Sequence, residues 1–63
     1  MCNDDVRLFM RRFGVTQVDL GETMGTTQPK ISNALRKELP EEEKQRYKTA
    51  IRETARRLYG PEA

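Results

Sequence analysis

Helix-stopping residues cut this chain at Gly14, at Gly25, at the Leu39-Pro40 pair and at Gly60-Pro61. Glycine takes up the left-handed conformation that ends a helix, and proline lacks the N–H needed to continue one. Between the stops, apolar residues recur at helical spacing. Val6, Phe9, Met10 and Phe13 fall at i, i+3, i+4 and i+7, one stripe of a helix, while Leu8 lies off it, exposed or turned to a partner. Asn3 stands where a cap belongs, Asp4 and Asp5 suit the positive end of the helix dipole, and Arg11 and Arg12 suit the other end.

The next start is the best specified. Thr16 is an N-cap residue with Asp19 three positions later, and Val15 and Leu20 occupy the two positions of a hydrophobic staple. This short helix presents Leu20 and Met24 and stops at Gly25. A further helix follows with Thr27 as cap, Pro29 in the first turn, and Ile31, Ala34 and Leu35 on its inner side. Pro40 opens the last helix, over about 41–59, with Glu41–Glu43 at its start and Arg52, Arg56 and Arg57 toward its end as dipole partners. Tyr47, Ala50, Ile51, Thr54, Ala55, Leu58 and Tyr59 repeat along it with helical period. Residues 47–53 also alternate weakly, which leaves open a strand there or a break near Thr49–Arg52. Gly60-Pro61 closes the helix, and Glu62-Ala63 is expected as a frayed tail.

The fold class expected is therefore all-α, a compact four- to five-helix domain. Sixty-three residues (1–63) leave room for a single domain with a small core. Hydrophobic and charged residues each make up 35%, and no run approaches the roughly 18 apolar residues of a membrane span. One cysteine, Cys2, and no histidine exclude an internal disulfide and a zinc cage and remove the commonest general base, so neither a metal, a cofactor nor an enzyme activity is expected. Cys2 reads as an inert thiol. Asp4 and Asp5 stand where a secretory signal would need a basic segment, so the expected compartment is the cytoplasm. Twelve basic against ten acidic side chains give +2, split evenly between the two parts of the chain, so bulk charge does not argue for nucleic acid; a local basic face would have to.

The informative stretch is the helix-turn-helix expected over 16–36. A capped helix, a turn on Gly25 and a second helix a few residues on form a helix-turn-helix, with Gly21 where the two backbones come closest. The series Gln17-x-x-Leu20-Gly21-x-x-Met24-Gly25-x-x-Gln28-x-x-Ile31-Ser32 resembles the helix-turn-helix of the Cro and repressor proteins of temperate phages, a lambda-repressor-like or Cro-like fold. Arg12-Phe13-Gly14 and the run Gly25–Leu35 are especially similar to Cro proteins, and Leu39-Pro40-Glu41 with the last helix looks, more loosely, like the tail of the smaller all-helical ones.

The resemblance implies a transcriptional regulator whose second motif helix lies in the major groove of a pseudo-palindromic operator, repressing by occupying a promoter in the host cytoplasm. With Ile31, Ala34 and Leu35 inward, Gln28, Pro29, Ser32 and Asn33 would read bases. Gln28 and Asn33 suit adenine edges, while Pro29, departing from the usual polar residue, offers only an apolar contact. Gln17, Thr27, Lys30, Arg36 and Lys37 would reach phosphates. The partner is double-stranded DNA. A weak homodimer, tightened on DNA, would pair through Tyr47, Ile51, Leu58 and Tyr59. Two other readings share the sequence: a protein-interaction module (antirepressor or adaptor), suggested by Leu8, Glu41–Glu43 and the near-neutral charge, and a DNA-binding antitoxin.

Overall fold

A computed structural model describes residues 2–60. The expected stop at Pro61 and the tail Glu62-Ala63 lie outside them. Four helices are present, α1 (Asp4–Phe13), α2 (Gln17–Met24), α3 (Gln28–Ala34) and α4 (Glu41–Tyr59), with no strand among the described residues. Their radius of gyration is 10.8 Å, close to the roughly 10.6 Å of a compact chain this long.

Helix α4 is the spine. Its 19 residues run through 47–53 as one helix, so neither a strand nor a break forms there. Tyr47, Ala50, Ile51, Thr54 and Ala55 are its buried residues, at i, i+3, i+4, i+7 and i+8. Helices α1 and α2 pack on α4, and α3 packs on α2. Val6, Met10, Val15, Leu20, Ile31 and Leu35 complete the core from the other elements, with Phe9, Phe13, Met24, Ala34 and Leu39 packed around it. Phe9 and Phe13 meet at 4.9 Å between ring centres, and the Arg52 guanidinium lies 5.1 Å from the centre of the Phe9 ring, a cation–π contact from α4.

The expected chain punctuation is present in detail. Gly14 and Gly25 end α1 and α2 with φ of 65° and 70°, the left-handed region. The Asp19 N–H donates to the Thr16 hydroxyl at 3.2 Å, and Val15 and Leu20 are both buried beside that cap. Asp19 departs from the standard box, because its carboxylate accepts from the Thr16 hydroxyl itself at 2.9 Å.

Three expectations need correction. Asn3 precedes α1 but makes no side-chain cap bond; it is fully buried with φ 60°, and its amide points across the fold to residues 35–39. Thr27 stands at the N-cap of α3, but its side chain also makes no cap bond. Ile51 and Tyr47 are 0% and 7% exposed, because α1 and α2 cover that side of α4. Both belong to the core of one molecule, and Ile51 has no surface to offer a second copy.

Polar links tie α4 to its neighbours. The Thr54 hydroxyl donates to the Ala50 carbonyl at 2.7 Å and pairs with the Thr23 hydroxyl of α2. Arg57 donates to the Thr23 hydroxyl at 3.2 Å and lies 3.7 Å from the Glu22 carboxylate, so it joins α4 to α2 instead of serving the helix dipole alone. At the other end, Lys44 pairs with Glu38 and, at 3.3 Å, with Asp5. The bond to Glu38 raises the Lys44 pKa, and the same bond lowers that of Glu38. Desolvation pulls the Asp5 pKa upward, but Lys44, the Val6 N–H and Lys48 outweigh it and bring the value down.

Candidate nucleic-acid interface

The α2–α3 pair is held close by what Gly21 lacks. A Cβ on Gly21 would stand 3.1 Å from the Thr26 carbonyl oxygen and 3.3 Å from the Thr27 carbonyl carbon, tighter than side chains normally approach. The Thr26 N–H donates to the Gly21 carbonyl at 2.8 Å across the same gap. The turn therefore lies directly on α2, and α3 starts immediately after it.

Pro29 falls in the first turn of α3, where its missing N–H leaves no helical bond unmade. Ile31 and Leu35, 1% and 0% exposed, anchor the inner side. Gln28, Pro29, Lys30 and Asn33 are exposed, and Ser32 is half-buried. All the residues expected to read bases thus share one seven-residue helix, with the two amides open to solvent.

One contact within this face has no signature in the sequence pattern. The Gln28 amide donates to the Gln17 side-chain carbonyl at 2.9 Å, linking the first residues of α3 and α2. Gln28 keeps one N–H and its carbonyl, the donor–acceptor pair that matches an adenine N7/N6 edge, and the bond to Gln17 fixes how that pair is aimed. Gln17, expected at a phosphate, is half-buried and has its carbonyl engaged, leaving its NH2 as the free group. The N-terminus of α2 also carries the Asp19 carboxylate, so its positive end already faces an anion.

Helix α3 stops short of Arg36 and Lys37, two of the cations expected at phosphates. Helix α3 ends at Ala34, Leu35 caps it, and Arg36 and Lys37 belong to the turn that follows. They are exposed next to the helix, not on its outward face. Asn3 bonds the backbone of this turn. Its Nδ2 donates to the Leu35 carbonyl at 3.0 Å and to the Lys37 carbonyl at 2.7 Å, and its Oδ1 accepts from the Leu39 N–H at 2.8 Å. The carbonyls of the C-cap residue and of the turn beyond it are thus taken by a side chain from the start of the chain, while the Arg36 N–H donates to the Asn33 carbonyl within α3.

The segment that carries the two amides is basic, as are residues 44–52 with four basic side chains and no acidic one. Three of the twelve basic residues and none of the ten acidic ones lie between Thr26 and Lys37, so the rest of the chain holds nine against ten. Lys44, Arg46, Lys48 and Arg57 are each ion-paired, whereas Lys30, Arg36 and Lys37 make no ion pair among the described residues. Arg7, Arg11, Arg12, Arg52 and Arg56 likewise make no ion pair among the described residues, so what sets this segment apart is that its three cations share it with the two exposed amides.

Elsewhere, Leu8, Val18, Leu58 and Tyr59 are the large exposed apolar side chains, and Tyr59 also donates to the Gly14 carbonyl at 2.7 Å. No group of three or more acidic, cysteine or histidine side chains is gathered as a metal site among the described residues. No helix among them is long and apolar enough to cross a membrane. No family model matches the chain, and no curated protein or solved structure matches it either.

Proposed function

We propose that the protein is a sequence-specific, DNA-binding transcriptional regulator of the Cro-like kind, with α2 and α3 as its helix-turn-helix and α3 in the major groove of a pseudo-palindromic operator. The observation that carries this reading is the outer face of α3: two solvent-facing amides, one aimed by Gln17, on a segment with three cations outside any ion pair and no acid. Gln28 and Asn33 read adenine edges, Ser32 bonds a neighbouring base, and Pro29 packs on a thymine methyl. Lys30, Arg36, Lys37, Thr27 and the Gln17 NH2 meet phosphates and set the register. Repression follows from occupying a promoter and needs no chemistry.

Two copies bind two half-sites about 34 Å apart as a weak dimer tightened on DNA. With Tyr47 and Ile51 buried, Leu58 and Tyr59 are the members of the expected dimer surface that remain exposed.

The test is an unbiased selection of duplex DNA with the purified protein, followed by binding measurements over a range of salt. Replacing Gln28 and Asn33 together by Ala should cost roughly 2–6 kcal/mol on the selected sequence and little on a scrambled one. Unchanged selectivity in that double variant would refute the assigned reading face. A second reading, an interaction module for another protein, is favoured by Leu8 and Val18, each 55% exposed. It predicts no selected sequence and no steep fall of DNA affinity with salt.

A further inference from the structure

Asn3 is the one fully buried side-chain amide described, and all of its hydrogen-bonding groups are engaged on a single stretch of backbone. Its two Nδ2 protons go to the Leu35 and Lys37 carbonyls, and its Oδ1 takes the Leu39 N–H. Its own N–H donates to the Glu38 carboxylate at 2.8 Å. Arg7 adds to the clasp, donating from Nε to the Cys2 carbonyl at 3.2 Å and from Nη2 to the Leu35 carbonyl at 3.4 Å. The backbone at Asn3 is left-handed, a conformation asparagine tolerates better than most residues, and here it turns the amide away from α1.

The stretch held this way carries Arg36 and Lys37. No glycine and no residue with positive φ terminates α3. Locally, the exit is held by the Arg36 N–H on the Asn33 carbonyl at 3.2 Å and by Leu35 and Leu39 packing on the core. That leaves the Leu35 and Lys37 carbonyls and the Leu39 N–H to be met from outside the segment, and the three bonds from Asn3 meet them. We propose that Asn3 is a positioning residue that sets the exit from α3 and thereby holds the Arg36 and Lys37 cations beside the α3 face. The start of the chain thus takes part in phosphate binding without touching DNA. This rests on the DNA-binding reading in its last step only, because the clasp itself can be tested without DNA.

The variant is Asn3→Gly, which keeps the left-handed backbone accessible and removes only the amide. Amide hydrogen exchange on the free protein should show the Leu39 N–H losing protection while Ile31 and Leu35, bonded within α3, keep theirs. On DNA, affinity for the selected and the scrambled duplex should fall by the same factor, and the salt dependence should become shallower by about 0.9 for each phosphate no longer neutralised. In a background with Arg36→Gln and Lys37→Gln, Asn3→Gly should have no further effect on that slope. Where Asn3→Gly leaves too little folded protein, the same exchange and slope measurements are made on it with trimethylamine N-oxide added to favour the folded state. Unchanged Leu39 exchange in Asn3→Gly refutes the clasp. Loosened exchange with an unchanged slope refutes the positioning role. Absence of DNA binding by the unaltered protein, with the exchange result as expected, refutes the parent reading and with it the role of Arg36 and Lys37, but leaves the clasp standing.

Discussion

Replacing Ile51 by Ala separates a core role from a pairing role for the α4 stripe. Ile51 is fully buried, in contact with a core to which every helix contributes. The substitution removes three carbons, about 0.8 kcal/mol each in transfer free energy, or about 2.4 kcal/mol. The cavity left behind adds to this, so the expected loss is about 3–4 kcal/mol, within the range of buried Ile-to-Ala changes. A domain of this size has on the order of 3–9 kcal/mol in total, so the variant is left near the edge of folding. Its Tm should fall by roughly 15–25 °C. Urea and thermal unfolding, followed by circular dichroism at several protein concentrations, measure the effect. If Ile51 serves one molecule's core, the loss is the same at every concentration, and Leu58→Ala, at a half-exposed position, costs under about 1 kcal/mol. A loss confined to high concentration, where copies pair, or a loss below about 1 kcal/mol for Ile51→Ala, would refute the reasoning.

Two further perturbations bear on local parts of the fold. Thr16→Ala removes the cap bond to the Asp19 N–H and should destabilise the protein by about 1 kcal/mol, read by urea unfolding, with Thr16→Ser restoring most of it. The Asp5–Lys44–Glu38 cluster predicts a pH dependence. Both carboxyls have lowered pKa values, so their contribution is present above the ordinary carboxylate range and disappears as pH falls through the lowered values. The Lys44 pKa is raised, so its contribution is present below the ordinary lysine value and is lost as pH rises through the raised one. Lys44→Gln should flatten the acid limb of the stability profile, and about 0.5 M salt should reduce the difference between variant and parent because both carboxylates are exposed to solvent.

What the sequence made legible was local. The start of α2 follows from Thr16, Asp19, Val15 and Leu20, residues within one turn of each other, and its end follows from a glycine at a left-handed position. The periodicity of α4 marks its buried side, because a helical stripe identifies which residues face something. It does not say what they face. Tyr47 and Ile51 meet α1 and α2, while Leu58 and Tyr59, two turns past Ile51, stay exposed. Tyr59 touches the end of α1 through its hydroxyl, on the Gly14 carbonyl. Asn3 misleads for a different reason. As a residue just before two aspartates it has the local signature of a cap, whereas its partners lie 32 to 36 positions away and only the folded chain brings them near. The Gln17–Gln28 bond is of the same kind, joining two amides whose spacing has no local meaning until the Gly25 turn sets α3 against α2. The outward positions of α3 follow from the inward ones, but the bonding of the turn after it does not, since a side chain from elsewhere in the chain takes the Leu35 and Lys37 carbonyls.

The most direct measurement is the affinity of the unaltered protein for its best selected duplex and for a scrambled duplex, both taken from about 50 to 200 mM salt. Both affinities are predicted to fall steeply as salt rises, while the selected duplex stays favoured by orders of magnitude throughout. Equal binding to the two duplexes, or binding that ignores salt, would contradict a regulator that reads DNA through α3.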